Sequence, residues 1–159
     1  MRDVARRALP LWELPPETRL SLLNISENAT YRVDAPNAEA ALILRVHRTG
    51  YHSLNAVRTE LAWMKALQLE AGVRTPQAIA ASDGEMIKVI ETAALNETRM
   101  VVMFAFIEGA EPQASALLEP FKRLGAVAAR MHVHARSWQR PDFFERLVWD
   151  YAGTLGAQA

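Results

Sequence analysis

The stretch Leu42-Ile43-Leu44-Arg45-Val46-His47-Arg48, with Ser53-Leu54-Asn55-Ala56-Val57-Arg58-Thr59-Glu60-Leu61 close behind it, decides how the rest of the chain is read. The run from Ala40 to Val46 is apolar apart from Arg45, and its Ile43, Leu44 and Val46 suit a well-buried strand. From Ser53 to Ala71 the period changes. Leu54, Val57, Leu61, Met64, Leu67 and Ala71 recur at three- and four-residue steps, Ser53 can cap the start and Gly72 can end it, which predicts a helix. Two charges stand out against this pattern. On a helical wheel Glu60 lies roughly fifty degrees from the centre of the apolar stripe, between Val57 and Met64. An unpaired buried carboxylate costs several kcal/mol, so Glu60 either reaches water at the edge or meets a cation from a facing sheet. Arg45 in its turn either points to the solvent face of the sheet or is that cation. A pair of this kind would hold a basic group toward a phosphate.

Working outward, Pro10, Pro15 and Pro16 break the first twenty residues, and Leu20 to Ile25 and Thr30 to Val33 read as strands around the polar tip Ser26-Glu27-Asn28. Ala35-Pro36-Asn37-Ala38 is a second turn. Beyond the helix, Ile79 to Ser82 and Met86 to Ile90 flank Asp83-Gly84, a dipeptide suited to a tight hairpin. Asn96-Glu97 marks the next turn, Arg99 to Ile107 the last strand, and Glu108-Gly109-Ala110-Glu111-Pro112 a linker. Ser115 to Trp138 is helical by pattern, with Leu117, Phe121, Leu124, Val127 or Ala128, Met131, Ala135 and Trp138 on one stripe. The order of elements predicts an α+β plan, a five-stranded antiparallel sheet with one packed helix, and not alternating βαβ units.

At 159 residues the chain is long enough for one core, and its 18 basic and 18 acidic side chains cancel, so overall charge supplies no reason to expect nucleic acid or an anionic membrane as partner. The absence of cysteine removes disulfide scaffolds, thiolate metal sites and cysteine nucleophiles. The most apolar run, Met100 to Ile107, is of strand length, and no segment approaches the ~18–20 residues of a membrane span. A cytoplasmic protein is the expectation. Arg2, Arg6 and Arg7 lack the acid-poor setting of a transit peptide because Asp3 and Glu13 intervene, and residues 1–19 are expected to form an exposed arm. The sequons at Asn24, Asn28 and Asn96 follow no apolar signal segment and are read as chance.

Leu44-Arg45-Val46-His47-Arg48, with Glu60 fifteen residues after Arg45, resembles the strand-three cation and helix-C glutamate of protein-kinase-like phosphotransferases, in the aminoglycoside phosphotransferase and homoserine kinase branch. Ser26-Glu27-Asn28-Ala29-Thr30-Tyr31-Arg32-Val33 is similar to that family's phosphate-covering hairpin. Met103-Phe104-Ala105-Phe106-Ile107-Glu108-Gly109 is similar to its hinge, and Leu124-Gly125 through Ala129-Arg130-Met131-His132 to the long helix opening its second lobe. The resemblance runs from about Leu20 to Gly156. It implies an N-lobe over residues 20–107, a hinge over 108–114, and the start of a helical C-lobe over 115–159. It also implies an ATP site beneath the first hairpin, with Ser26 and Asn28 above the phosphates, Arg45 approaching them and oriented by Glu60, and backbone groups of Ala105 to Ile107 binding adenine. Val33, Leu44 and Phe104 would wall the base.

Three departures from the family pattern bear on function. The strand-three residue is arginine and not lysine, and its planar fork binds oxygens differently. The covering hairpin has no glycine, so bare backbone cannot approach phosphate as closely. The family's catalytic loop, with its histidine-glycine-aspartate core, and its later metal-binding aspartate would follow position 159. No catalytic residue is therefore assigned, and magnesium is expected only in an intact family member. His132 and His134, two residues apart on a helix, diverge and cannot share a metal. His132 is read as a packing residue at the lobe junction, and Asp142 and Asp150 as surface charges.

The expectation is thus the nucleotide-binding portion of an ATP-dependent kinase that phosphorylates a hydroxyl of a small molecule, inactive alone, with an acceptor bound only when a C-lobe is supplied. The alternatives are a non-catalytic nucleotide-binding or interaction module of the same fold, and a generic α+β binding domain in which Arg45 and Glu60 are incidental. The apolar stripe on the last helix predicts a homodimer, a complementary chain, or a cover made by Phe143, Phe144, Leu147 and Trp149.

Overall fold

The computed structural model describes residues 1–92, 97–148 and 150. The turn and sequon at Asn96, Trp149 and the closing stretch from Gly153 to Ala159 lie outside the described residues. The elements are α1 (Arg2–Ala8) with a 3-10 turn (Leu9–Trp12), β1 (Arg19–Ile25), β2 (Asn28–Asp34), β3 (Leu42–His47), α2 (Leu54–Ala71), β4 (Ala78–Ile79), β5 (Lys88–Thr92), β6 (Glu97–Ala105), a 3-10 turn (Ala114–Ala116) and α3 (Leu118–Ser137).

The fold is α+β around one antiparallel sheet, as the order of elements predicts, with a sixth short strand. The strands run β1-β2-β3-β6-β4, and β5 also pairs β6. The Asp83-Gly84 turn is present, with Gly84 at φ 86 and its N–H bonded to the Ala81 carbonyl at 2.9 Å. The segments on either side of it do not pair with each other, however. β4 lies along the C-terminal part of β6 (Ile79 opposite Met103) and β5 along its N-terminal part (Lys88 opposite Val101). β3 occupies the other edge, from Leu42 opposite Ala105 to Val46 opposite Val101. A nine-residue β6 has room for two short partners end to end, so turn chemistry alone does not identify the pairing.

Side-chain alternation divides β3 between two layers. Leu44 and Val46 point into a core with Ala29, Tyr31, Val33, Val101 and Met103. Ile43 joins the opposite core with Val57, Val102 and Phe104, beneath α2. The first core is closed by the N-terminal segment, which corrects the expectation of an exposed arm. Val4, Ala5, Ala8, Leu9, Trp12 and Leu14 are all buried in it. Their spacing is a helical stripe interrupted by Arg6, Arg7 and Pro10, whose polarity and breaking character masked it. Trp12 donates its indole N–H to the Ile79 carbonyl at 2.9 Å, and Arg6 donates to the Thr18 carbonyl at 2.7 Å, so the segment is hydrogen-bonded as well as packed.

α2 begins and ends as its sequence predicts. Ser53 Oγ accepts from the Ala56 N–H at 3.0 Å, and Gly72 takes the left-handed conformation at φ 58. α3 meets α2 near its C-terminal end, but its N-terminal half is bare, with Phe121 and Leu124 61% and 60% exposed. Among the described residues, the segment after α3 meets the stripe only at its Trp138 end, with the Phe144 ring 6.1 Å from that of Trp138, and leaves Phe121 and Leu124 exposed. Among the described residues no helix is long and apolar enough to cross a membrane.

Candidate functional site

Between the sheet, α2 and the start of the linker lies a cleft of about 730 Å³, within the size range of small-ligand sites. Arg45 reaches into it from β3 and Glu60 from α2. Nη1 and Nη2 of Arg45 meet Oε1 and Oε2 of Glu60 at 2.8 and 3.0 Å, a two-pronged ion pair. The pair is partly buried, with side-chain exposures of 19% for Arg45 and 28% for Glu60. Arg45 is also held flat, its guanidinium carbon 4.9 Å from the Phe104 ring centre, while its Nε is buried without a partner among the described residues. The two charges that stood out in the sequence therefore account for each other.

At the other end, Phe104, Ala105, Phe106 and Ile107 line the cleft as β6 leaves the sheet. The strand ends at Ala105, two residues before its expected end, so Phe106 and Ile107 already belong to the connection. The Ala105 N–H donates to the Gln77 carbonyl at 2.9 Å and the Phe106 N–H to the Ala41 carbonyl at 3.4 Å. The Ala105 N–H thus faces the edge where β4 begins. Thr75 donates its hydroxyl to the Met64 carbonyl at 2.9 Å and fixes Thr75-Pro76 as the back of the cleft.

The remaining expected site residues separate. Asn28 lines the cleft, and its Oδ1 accepts from the Arg48 N–H at 3.4 Å. Ser26 is exposed at the hairpin tip and is not among the lining residues. Val33 and Leu44 are fully buried on the opposite face of the sheet, so neither walls the cleft, and Ile43 occupies the place expected of Leu44. One step of strand phase separates these readings.

His52, Trp63 and Arg146 also line the cleft and were not singled out in the sequence, and Met131, read only as part of the helical stripe, lines it as well. Trp63 follows Glu60 by three residues, one turn along the same helix face, which is the pattern that could have found it. The histidine that packs between helices is His134, while His132 is exposed, which reverses the expectation. Trp63 donates its indole N–H to His134 Nδ1 at 3.2 Å. An indole N–H can only donate, so Nδ1 is the acceptor and Nε2–H donates to Glu70 Oε2 at 2.9 Å. This bridge joins α2 to α3. Among the described residues there is no group of three histidine or carboxylate side chains placed to hold a metal ion.

The segment that carries Arg146 is fastened to α2 by Thr59, the neighbour of Glu60. The buried Thr59 hydroxyl accepts from the Glu145 N–H at 3.0 Å and donates to the Phe143 carbonyl at 3.5 Å. Arg58 stacks on the Phe143 ring at 4.3 Å and Arg140 on the Phe144 ring at 4.7 Å.

Residues 21–158 match the phosphotransferase enzyme family. Among solved structures, a microcompartment-associated aminopropanol kinase is similar at a TM-score of 0.85 and 36% identity, over 98% of this chain and 47% of its own. An amicoumacin kinase, solved in complex with AMP-PNP and Ca2+, is similar in fold at a TM-score of 0.78 and 21% identity, over 93% of this chain and 44% of its own. The chain thus spans less than half the length of either kinase. Among curated proteins, none matches it.

Proposed function

The chain belongs to the phosphotransferase enzyme family, and on that premise we propose that these residues form the nucleotide-binding portion of an ATP-dependent kinase acting on a hydroxyl of a small molecule. The observation that carries the reading is the Arg45–Glu60 pair, bonded at 2.8 and 3.0 Å and facing the Ala105-to-Ile107 edge across one cleft. The edge offers backbone groups to adenine, with Ile43, Phe104 and Met64 as apolar walls. Glu60 holds the Arg45 guanidinium in one orientation, so its outward N–H groups reach the phosphates without first losing side-chain freedom. ATP, when bound, supplies the phosphoryl group to be transferred. Asn28 overhangs the phosphate end from the first hairpin.

In this reading the acceptor pocket, the catalytic carboxylate and the ligands for magnesium belong to a second lobe, which the length of the two kinases accommodates and this chain does not span. Likeness to an aminopropanol kinase at 36% identity supports a small hydroxyl-bearing acceptor. The exposed stripe on α3 is the surface on which such a lobe would pack. The same stripe favours a second reading, a nucleotide-binding module that docks a partner and performs no chemistry.

Titration calorimetry with ATP, with and without magnesium, tests the nucleotide site on the wild-type chain and on folded Arg45→Ala and Glu60→Ala variants. Binding weakened by both substitutions is the expected result. A well-folded wild-type chain that takes up no ATP would remove the nucleotide from the proposal.

A further inference from the structure

We propose that Arg146, which nothing in the pairing of Arg45 with Glu60 requires, is a second phosphate-binding cation of this cleft, positioned there by the Thr59 hydroxyl. The proposal rests on the nucleotide reading above and identifies which charge makes the site selective for a polyphosphate over a neutral nucleoside.

The charge balance of the cleft motivates it. Among the described residues Glu60 is the only carboxylate lining the cleft, and it spends both oxygens on Arg45, so that pair contributes little net charge to an incoming anion. Arg146 lines the same cleft, and no carboxylate among the described residues lies in ion-pair distance of it. Its charge is permanent and its fork matches phosphate oxygens.

The position of Arg146 follows from its neighbours. Glu145 is tied through its N–H to Thr59 at 3.0 Å, and Thr59 adjoins Glu60 on α2. This places the next residue beside the stretch of α2 that carries Glu60, where it also lines a smaller hollow with Thr59 and Trp63. The anchor is a built feature, because the Thr59 hydroxyl is buried and serves two backbone groups of the segment at once. The Arg58–Phe143 stack at 4.3 Å reinforces it on the outer side. Arg146 itself is exposed, so replacing it leaves the packing of the fold intact.

Calorimetry with ATP and with adenosine on the wild type, Arg146→Gln, Thr59→Val, the double variant and Thr59→Ser tests both parts. Loss of one charge-assisted contact predicts an ATP affinity for Arg146→Gln lower by on the order of tenfold or more, with adenosine affinity little changed. Thr59→Val should weaken ATP in the same direction, Thr59→Ser should restore it, and the double variant should bind ATP no worse than Arg146→Gln alone. An Arg146→Gln chain that binds ATP like the wild type, or loses ATP and adenosine equally, overturns the proposal while leaving the nucleotide site standing. Fully additive losses overturn the role of Thr59. A wild-type chain that binds neither ligand overturns this proposal and the nucleotide reading together.

Discussion

Acidification should destabilise this fold through one side chain, His47. It follows Arg45 by two positions on the same face of β3, is 1% exposed, and has no hydrogen-bond partner for either ring nitrogen among the described residues. Burial, helped by the nearby charges of Arg45 and His52, pulls its imidazole from the ordinary 6.5 down to about 3. The folded state therefore binds fewer protons than the unfolded chain between about pH 3 and 6.5, and stability rises with pH across that window. At ~1.36 kcal/mol per pH unit, moving from about pH 7.5 to about pH 5 crosses roughly 1.5 units of the window and removes about 2 kcal/mol. That is a large share of a typical ~5–15 kcal/mol. Urea unfolding at both pH values should show this loss in the wild type and not in His47→Leu, which removes the titrating ring and its two orphaned nitrogens. The other three histidines are common to both proteins, so the difference between their pH slopes isolates His47. Equal slopes for the two proteins would refute the reasoning.

Glu60→Gln should weaken ATP binding and also lower stability by about 1–3 kcal/mol, since the Arg45 fork keeps its burial and loses its counter-charge; calorimetry and urea unfolding read the two effects separately, and an unchanged chain on both would count against the pair. Trp12→Phe should cost about 1–3 kcal/mol by orphaning the Ile79 carbonyl, a loss visible as a lower urea midpoint at constant slope. Replacing Phe121 and Leu124 together by lysine should suppress self-association in sedimentation velocity with no change in melting temperature, whereas an association state that ignores the substitutions would place the contact elsewhere.

The legible parts of the fold were those where period and capping agree. Ser53, the Leu54-to-Ala71 stripe and Gly72 locate α2 to within a residue, and the same helix phase brings Glu60 toward the sheet. Arg45 was conspicuous because a charge within an apolar strand needs a partner. What escaped the sequence depends on phase or on distant contact. Val33 and Leu44, expected to wall the base, miss the cleft by a single step of alternation, which no local pattern fixes when both faces of the sheet are covered. The N-terminal stripe was hidden by arginines and prolines between its apolar positions. Arg146 gave no sign at all, because its place depends on a hydroxyl 87 positions earlier, at Thr59, gripping the residue next to it.

The placement of β6 has a consequence for the order in which the chain can assemble. β3 finds its second neighbour only when Val101 to Ala105 exist, and the N-terminal helix rests on a core that includes Ile90, Val101 and Met103. During synthesis, the first ninety-odd residues can therefore form local hairpins and α2, while the buried faces of Val4, Leu9 and Trp12 wait for a strand not yet made. Closure of the sheet and docking of the N-terminal segment are then a single late event. A ribosome paused before Ala105 would hold a chain with two uncovered apolar surfaces, the state most prone to aggregation and to capture by chaperones.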